Sequence, residues 1–309
     1  MILCLGTTPA DQRTMTFASL QLDAVNRAAS VTRTASGKSI NAARVARTLG
    51  ADVLATGFLG GDAARFMRRD LDAAGIRHDF VDVTPPTRAC ITVVDESAGT
   101  ATELIEESKQ VEPEAWDRLV DRLDAHLRTA GVLVLSGTLT PGAPQDFYGR
   151  CVARAALHGV RTIVDASGEP LKQALAAKPF IVKPNRAELG RTLGMDTSTD
   201  AGLRDAMRHV LSWGVQWVVV TMGRDGAIAS DDNAFWHVGT PQVQVVNPIG
   251  SGDSFAAGLA VALTCGPPMP EALVVGAACG VANAMTRVAG HVEPNDVATI
   301  MNDLDVEPA

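Results

Sequence analysis

The sequence predicts an α/β protein built on a mostly parallel sheet, and three observations carry that prediction. Short continuous apolar runs recur along the chain, longer stretches of helical period separate them, and two regions instead alternate polar with apolar residues. Strands buried on both faces read as unbroken apolar runs, whereas strands open on one face alternate. In chain order, buried strands are expected at Ile2–Leu5, Val53–Phe58, Val132–Leu135, Thr162–Val164, Phe180–Val182 and Trp217–Val220, with helices between them. The alternating regions, about 11–36 and 87–105, predict a small β appendage over the main sheet, a candidate lid; Thr87–Val94 is its clearest strand. No Gly/Ser linker, repeat or low-complexity segment divides the chain, and Gly266–Pro270 reads as a loop between helices. Residues 1–309 are therefore expected to form one domain with the lid interleaved in it.

Composition excludes several classes of function. A chain of 309 residues with 46% hydrophobic residues can bury an extensive core. Its formal net charge of −8 supplies no broad positive field, which disfavours nucleic acid and anionic membranes as partners. Five cysteines, at 4, 90, 151, 265 and 279, form no CxxC pair and no secretory leader is recognised, so neither a zinc site nor a disulfide framework is expected. A reducing cytoplasm fits best. The longest apolar stretches, such as Val274–Val281, fall short of the ~20 residues that span a bilayer.

Three segments carry chemistry. Asn247-Pro248-Ile249-Gly250-Ser251-Gly252-Asp253-Ser254 follows the strand-like Val243–Val246 and opens the helical run Phe255–Leu263. Backbone N–H groups at such a turn face an anion at the positive end of the helix dipole. Asp253 there is either a base that accepts a hydroxyl proton during phosphoryl transfer or a cap of the helix. Lys183-Pro184-Asn185-Arg186-Ala187-Glu188 follows another strand. Asn185 and Glu188, three apart, either hold the waters of Mg²⁺ or form a capping box. Ala35-Ser36-Gly37-Lys38-Ser39-Ile40-Asn41 contains the Gly-Lys-Ser that ends a Walker A loop, but position 32 is Thr where that pattern needs glycine, so it is no P-loop. Lys38 and Asn41 could face a ligand from the first turn of the next helix, with a solvated lysine as the bland alternative for Lys38. Ser136-Gly137 ends a strand, where ligands of open α/β sheets gather. Thr221-Met222-Gly223 with Asp225-Gly226 reads as a strand end and hairpin turn.

Taken together and in order, these elements resemble the PfkB branch of the ribokinase-like family, especially its 1-phosphofructokinase and tagatose-6-phosphate kinase members. The resemblance runs from Ile2 to about Asp303 and includes Leu22–Arg27, Gly37–Arg44, Gly57-Phe58-Leu59-Gly60-Gly61, Ser136–Pro141, Asp165–Gly168, Lys183–Glu188, Asn247–Asp253 and Ala278–Ala284. It implies a Rossmann-like three-layer α/β/α core with a β lid, Mg-ATP as donor and in-line transfer to a sugar hydroxyl. By position, Asp253 resembles the family's catalytic base, and the backbone of Gly250, Ser251 and Gly252 its anion hole. Lys183, Asn185 and Glu188 match its Mg²⁺–phosphate element; Thr221, Gly223, Gly226 and Asn283 match the stretches around the nucleotide. On the acceptor side Gly37, Asn41 and Ser136 match sugar-contacting stretches, and Arg27, Lys38 and Arg88 are candidates for a substrate phosphate. Homodimerisation through the lid is a further implication.

The departures fall at the sugar end. The branch's usual Asn-Pro-Ala-x-Asp-Arg reads Thr8-Pro9-Ala10-Asp11-Gln12-Arg13, so the carboxylate that accepts sugar hydroxyls becomes Gln12 unless a one-residue slip lets Asp11 replace it. The usual Gly-Gly-Lys-Gly reads Ser36-Gly37-Lys38-Ser39. The expected function is an ATP-dependent kinase of fructose 1-phosphate, tagatose 6-phosphate or fructose 6-phosphate. Its alternatives are a sugar-phosphate-binding protein with decayed activity and a kinase of a nucleoside or unphosphorylated sugar. A nicotinamide dehydrogenase is disfavoured because the first strand and helix lack GxGxxG.

Overall fold

The computed structural model describes residues 1–309. From the N-terminus the elements are Ile2–Gly6 (β1), Ala10–Phe17 (β2), Ser30–Ser36 (β3), Lys38–Thr48 (α1), Val53–Gly60 (β4), Gly61–Ala73 (α2), Arg77–His78 (β5), Val81–Val83 (β6), Arg88–Asp95 (β7) and Thr100–Ile105 (β8). They continue with Pro113–Leu127 (α3), Val132–Ser136 (β9), Phe147–Leu157 (α4), Arg161–Asp165 (β10), Gly168–Ala176 (α5), Ile181–Val182 (β11), Arg186–Leu193 (α6), Asp200–Leu211 (α7) and Trp217–Thr221 (β12). Last come Ala227–Ser230 (β13), Phe235–Val238 (β14), Ser251–Cys265 (α8), Met269–Ala284 (α9), Pro294–Asn302 (α10) and Val306–Pro308 (β15).

The six apolar runs become adjacent or near-adjacent strands of one sheet, ordered β15-β14-β13-β12-β11-β10-β9-β1-β4-β5, with β6 against β4. From β4 through β1, β9, β10 and β11 to β12 every pairing is parallel, while β13, β14 and β15 add an antiparallel edge. Side chains alternate across a strand, so each apolar run feeds two cores. Ile2, Cys4, Val132, Val134 and Ile163 pack with α1, α2, α8, α9 and α10. Leu3, Leu5, Leu133, Leu135 and Val164 pack with α3, α4, α5, α6 and α7 on the other face. This is the three-layer α/β/α architecture that the sequence implies.

The alternating regions form the second sheet, four strands in the order β3-β2-β7-β8. Its register is set by Gln12 opposite Thr34 and Cys90, and by Thr92 opposite Glu103. It is tied to the large domain at α2, where the Asp70 carboxylate accepts from the Ala35 N–H (3.0 Å) and the Arg44 guanidinium (2.6 Å).

One expected strand does not form. Val243–Val246 has no neighbouring strand; instead the N–H groups of Val246 and Asn247 donate to the Ala284 carbonyl at the end of α9 (2.8 and 3.0 Å). Val243 packs on the core of that layer, so the alternation reflects extended chain lying across helices rather than sheet.

Phe147 at the start of α4 is fully buried, with its ring 4.8 Å from that of Trp116. Phe147→Ala is expected to lower unfolding free energy in urea by about 3–5 kcal/mol, whereas Leu157→Ala, at a position 86% exposed, changes it by less than about 0.5 kcal/mol. Equal losses would contradict this packing.

Candidate active site

Strands β9, β10, β11 and β12 lie side by side and end at Ser136, Asp165, Val182 and Thr221. In open α/β sheets this carboxyl edge is where ligands gather. Asp165, 1% exposed, sits between two ammonium groups: Lys183 Nζ at 3.3 Å and Lys38 Nζ at 3.5 Å. Neither carboxylate oxygen has an aligned hydrogen bond. Burial pushes the Asp165 carboxyl up, but Lys183 and Lys38 outweigh it and hold the group below the usual carboxylate range. The Asp165 charge in turn raises Lys38, with Asp253 and Glu188 adding to the effect against burial. Lys38 Nζ also lies 3.9 Å from Glu188 Oε1, so it is a site lysine rather than a solvated one. Asp165 is the residue that reading the motifs missed. Its signal was a carboxylate closing a buried apolar strand.

The start of α8 lies beside this cluster. A Cβ added to Gly252 would sit 3.6 Å from Lys183 Nζ. Gly250 has φ 86°, and a side chain there would run into Ala289 and Gly290 at 2.9 Å, so the turn into the helix demands glycine. The Ser251 N–H donates to the Pro248 carbonyl (3.2 Å), while those of Gly250, Gly252 and Asp253 meet no protein acceptor. Those three amides are therefore uncommitted, while that of Ser251 belongs to the turn.

Asp253 is no helix cap. Its Oδ2 accepts from Asn41 Nδ2 of α1 (2.8 Å), and Asn41 Oδ1 accepts from Ser36 Oγ (2.9 Å). Burial pushes the Asp253 carboxyl up to about 6 against the pull of Lys38, with Asp165 adding to the rise. Asn283 is fully buried and turned into the protein. Its Nδ2 donates to the Ile249 carbonyl (2.9 Å) and Ser251 Oγ (3.2 Å), and its Oδ1 accepts from the Gly290 N–H (2.8 Å) and Ser254 Oγ (3.2 Å). With every polar valence used, it holds the 247–254 loop in shape.

At the start of α6 the capping-box reading is observed, and it leaves one Glu188 oxygen uncommitted. Asn185 Oδ1 accepts from the Glu188 N–H (2.8 Å) and Glu188 Oε2 accepts from the Asn185 N–H (2.9 Å), a complete capping box. Glu188 Oε1 remains free to face Lys38. Asn185 is bridged to Thr221 at the end of β12, and Gly223 and Gly226 bound the short turn that follows. No cluster of three or more His, Cys, Asp or Glu side chains is present that could enclose a metal. The oxygen donors at hand, Glu188 Oε1 and the unbonded Asp165 oxygens, suit Mg²⁺, which keeps water and takes ligand phosphates in place of a full protein cage.

On the acceptor side, Gly37 (φ 107°) packs on the Pro9 backbone, where an added Cβ would lie 2.9 Å from Pro9 Cα. The buried hydroxyls of Ser136 and Thr140 have no partner, as expected of groups awaiting ligand or water. Gln12 is buried and donates Nε2 to Thr92 Oγ1 (2.8 Å). Asp11 points to the opposite face of the small sheet, where both oxygens accept from Arg33 (2.8 and 2.6 Å), so no slip brings it into Gln12's place. Arg88 donates to the carbonyls of Thr8 (3.1 Å) and Glu106 (3.3 Å). Arg27 lies exposed in the loop between β2 and β3 and is not drawn into the Lys38–Asp165 cluster.

Comparison with known proteins bears on the family and the fold. The model of the pfkB family of carbohydrate kinases matches residues 1–295. Escherichia coli phosphofructokinase-2 in complex with fructose-6-phosphate is similar over 98% of both chains, with 25% identity and a TM-score of 0.88. A Thermotoga maritima structure named as a possible 1-phosphofructokinase covers 100% of this chain and 99% of its own at 22% identity, TM-score 0.92. Arabidopsis thaliana ribokinase with ribose and ATP covers 97% and 98% at 21% identity, TM-score 0.77.

The raised Asp253 carboxyl has a consequence for stability. Its ionisation is penalised only in the folded chain, so the penalty is absent below the ordinary value of 3.8, grows as pH rises and is complete above about 6. Asp253→Asn, which keeps an acceptor for Asn41, is expected to raise the thermal midpoint at pH 8, by at most about 3 kcal/mol of stability for a two-unit shift. The gain should vanish near pH 4. Thermal unfolding of both proteins across this range checks it, and a gain independent of pH would refute the assignment.

Proposed function

The chain belongs to the pfkB family of carbohydrate kinases, and we propose that it transfers the γ-phosphoryl group of ATP to a hydroxyl of a phosphorylated hexose, with fructose 1-phosphate, tagatose 6-phosphate and fructose 6-phosphate as the leading acceptors. Carbohydrate kinases of this family use ATP. The observation that carries the reading is Asp253: a buried carboxylate in the first turn of α8, aimed by Asn41, and flanked by backbone N–H groups without partners. The fructose 6-phosphate held by the E. coli neighbour supports the acceptor class.

In this mechanism Asp253 accepts the proton of the attacking hydroxyl as the new O–P bond forms. The bond from the γ-phosphorus to its bridging oxygen breaks, and ADP leaves with that electron pair. A carboxyl at about 6 is ionised at neutral pH yet basic enough to take the proton. The free amides of Gly250, Gly252 and Asp253 face the transferring group, where the positive end of the helix stabilises its charge. Lys183, 2% exposed and held by Asp165, adds a fixed cation beside them. Glu188, and Asp165 through water, would hold Mg²⁺, which would supply neutralisation of phosphate charge. Thr221 and the Gly223–Gly226 turn flank the nucleotide.

Ser36 argues against the alternative of a decayed enzyme. Its hydroxyl orients Asn41, and through Asn41 the carboxylate of Asp253, so this departure serves the site. A homodimer through the small sheet is part of the proposal. Leu22 (91% exposed) and Val25 (84%) lie on its β2–β3 loop, and Val31 (55%) and Leu104 (54%) share its face away from Asp253; exposed apolar side chains of this kind are what protein contacts cover.

Coupled ADP-release assays with Mg-ATP over a panel of free sugars, nucleosides and the three hexose phosphates test the activity. Saturable release with one hexose phosphate is expected, and silence across the panel would refute the kinase reading. Asp253→Ala should lower kcat by about 10³-fold or more while ATP affinity, measured by calorimetry, persists; wild-type turnover in that variant would remove Asp253 from the mechanism. For assembly, sedimentation should give a dimer that Leu22→Asp with Val25→Asp converts to monomer, and a wild-type monomer would overturn the dimer.

A further inference from the structure

The register of the small sheet fixes which side chains it turns toward Asp253. Ala10 is paired with Ser36 and with Arg88, Gln12 with Thr34 and Cys90, and Thr92 with Glu103. Paired residues share a face, and residues two apart along a strand return to it. Ser36, Gln12, Arg88, Thr92 and Glu103 are therefore on one face, the face whose Ser36 reaches Asn41 and so Asp253. Asp11 and Arg33 occupy the other face, where Arg33 stacks over the Phe66 ring at 3.9 Å.

The face toward Asp253 carries one guanidinium, Arg88, and one carboxylate, Glu103, among uncharged residues. They form no ion pair within 4.0 Å of each other or of any other group. Arg88 bonds only to neutral carbonyls and its Nε is buried without a partner. The Glu103 side chain is exposed and makes no hydrogen bond; the desolvation it meets on this face pushes its carboxyl above the ordinary value in spite of Arg88. Two opposite charges on one face, close enough to feel each other and bonded to nothing ionic, suit a ligand with an anionic end and a hydroxylated end. A sugar phosphate is such a ligand. The amide of Gln12 is engaged by Thr92, which leaves one charged acceptor for sugar hydroxyls on this face, and charge-assisted bonds are the stronger kind.

We propose that Glu103 is the specificity-determining carboxylate of the acceptor site, taking hydrogen bonds from hydroxyls of a sugar phosphate whose phosphate is met by Arg88. The carboxylate missing from position 12 of β2 is thus supplied two strands away, from β8. This inference rests on the kinase reading, and the experiment separates their failures. Glu103→Gln, the Gln12→Asp variant and the double variant are compared with wild type by steady-state kinetics on the hexose phosphates of the panel and by calorimetric titration with fructose 6-phosphate.

For Glu103→Gln the acceptor KM is expected to rise tenfold or more, with kcat changed less than threefold and the ATP KM unchanged. Adding Gln12→Asp should recover at least threefold, because it returns a carboxylate to the same face. An unchanged thermal midpoint would exclude a folding defect, since Glu103 bonds to nothing in the protein. Wild-type acceptor KM and affinity in Glu103→Gln would overturn the inference and leave the kinase reading standing. If wild type binds fructose 6-phosphate without turnover, the kinase reading fails and the affinity ratio alone decides on Glu103, a tenfold loss supporting it and equality overturning it. Absence of turnover for every panel acceptor together with absence of fructose 6-phosphate binding would overturn both.

Discussion

A carboxylate buried between two lysines is the constraint on which the site depends. Taking Asp165 out of water costs several kcal/mol, and with no aligned hydrogen bond of its own it is tolerable only while Lys183 and Lys38 stay at 3.3 and 3.5 Å. That requirement draws the ends of β10 and β11 and the first turn of α1 to one point. The sum of the three groups is positive, and Glu188 Oε1 at 3.9 Å from Lys38 offsets it in part. The cluster thus presents a rigid cation in Lys183 and a more accessible one in Lys38, at the carboxyl edge of the sheet, which in the proposed function receives the phosphates of ATP.

Beside this cluster, the start of α8 is shaped by buried groups behind it. Asn283 on α9 grips the 247–254 loop with both ends of its amide. That grip requires α8 and α9 to lie close, and they do so through glycine: a Cβ on Gly258 would fall 2.6 Å from the Val275 carbonyl and 2.8 Å from Gly276 Cα. The apolar, Ala-rich character of both helices thus has a chemical consequence, since it fixes where the free amides of Gly250, Gly252 and Asp253 point. The same packing keeps water from Asp253, which is why its carboxyl rises to about 6.

In the proposed function the small sheet adds the acceptor side. Its attachment at Asp70 and at the Ser36–Asn41 pair couples its position to Asp253, so side chains on the face of Gln12 and Glu103 are oriented by the same bonds that aim that carboxylate. The substitutions at positions 12 and 36 then read as adjustments within one network. Ser36 aims an amide, Gln12 bonds to Thr92, and the charge lies on neighbouring strands.

The sequence by itself determined the α/β class, the six buried strands, the two-part small sheet and the turn before Asp253, because each is encoded locally: apolar runs mark strands buried on both faces, alternation marks half-exposed ones, and a glycine-rich turn before a helix leaves amides free. It also placed Asn185 and Glu188 correctly on one helix turn, where the capping box is a matter of spacing. Tertiary structure alone decided the rest. Val243–Val246 alternates like a strand but lies across helices, since pairing depends on a neighbour that periodicity cannot supply. Asn283 turned inward and Asp11 turned away, because a side chain's direction depends on register and on partners 34 and 22 residues distant. Asp165 joined the site for the same reason: what a buried charge does is set by the cations that the fold brings beside it.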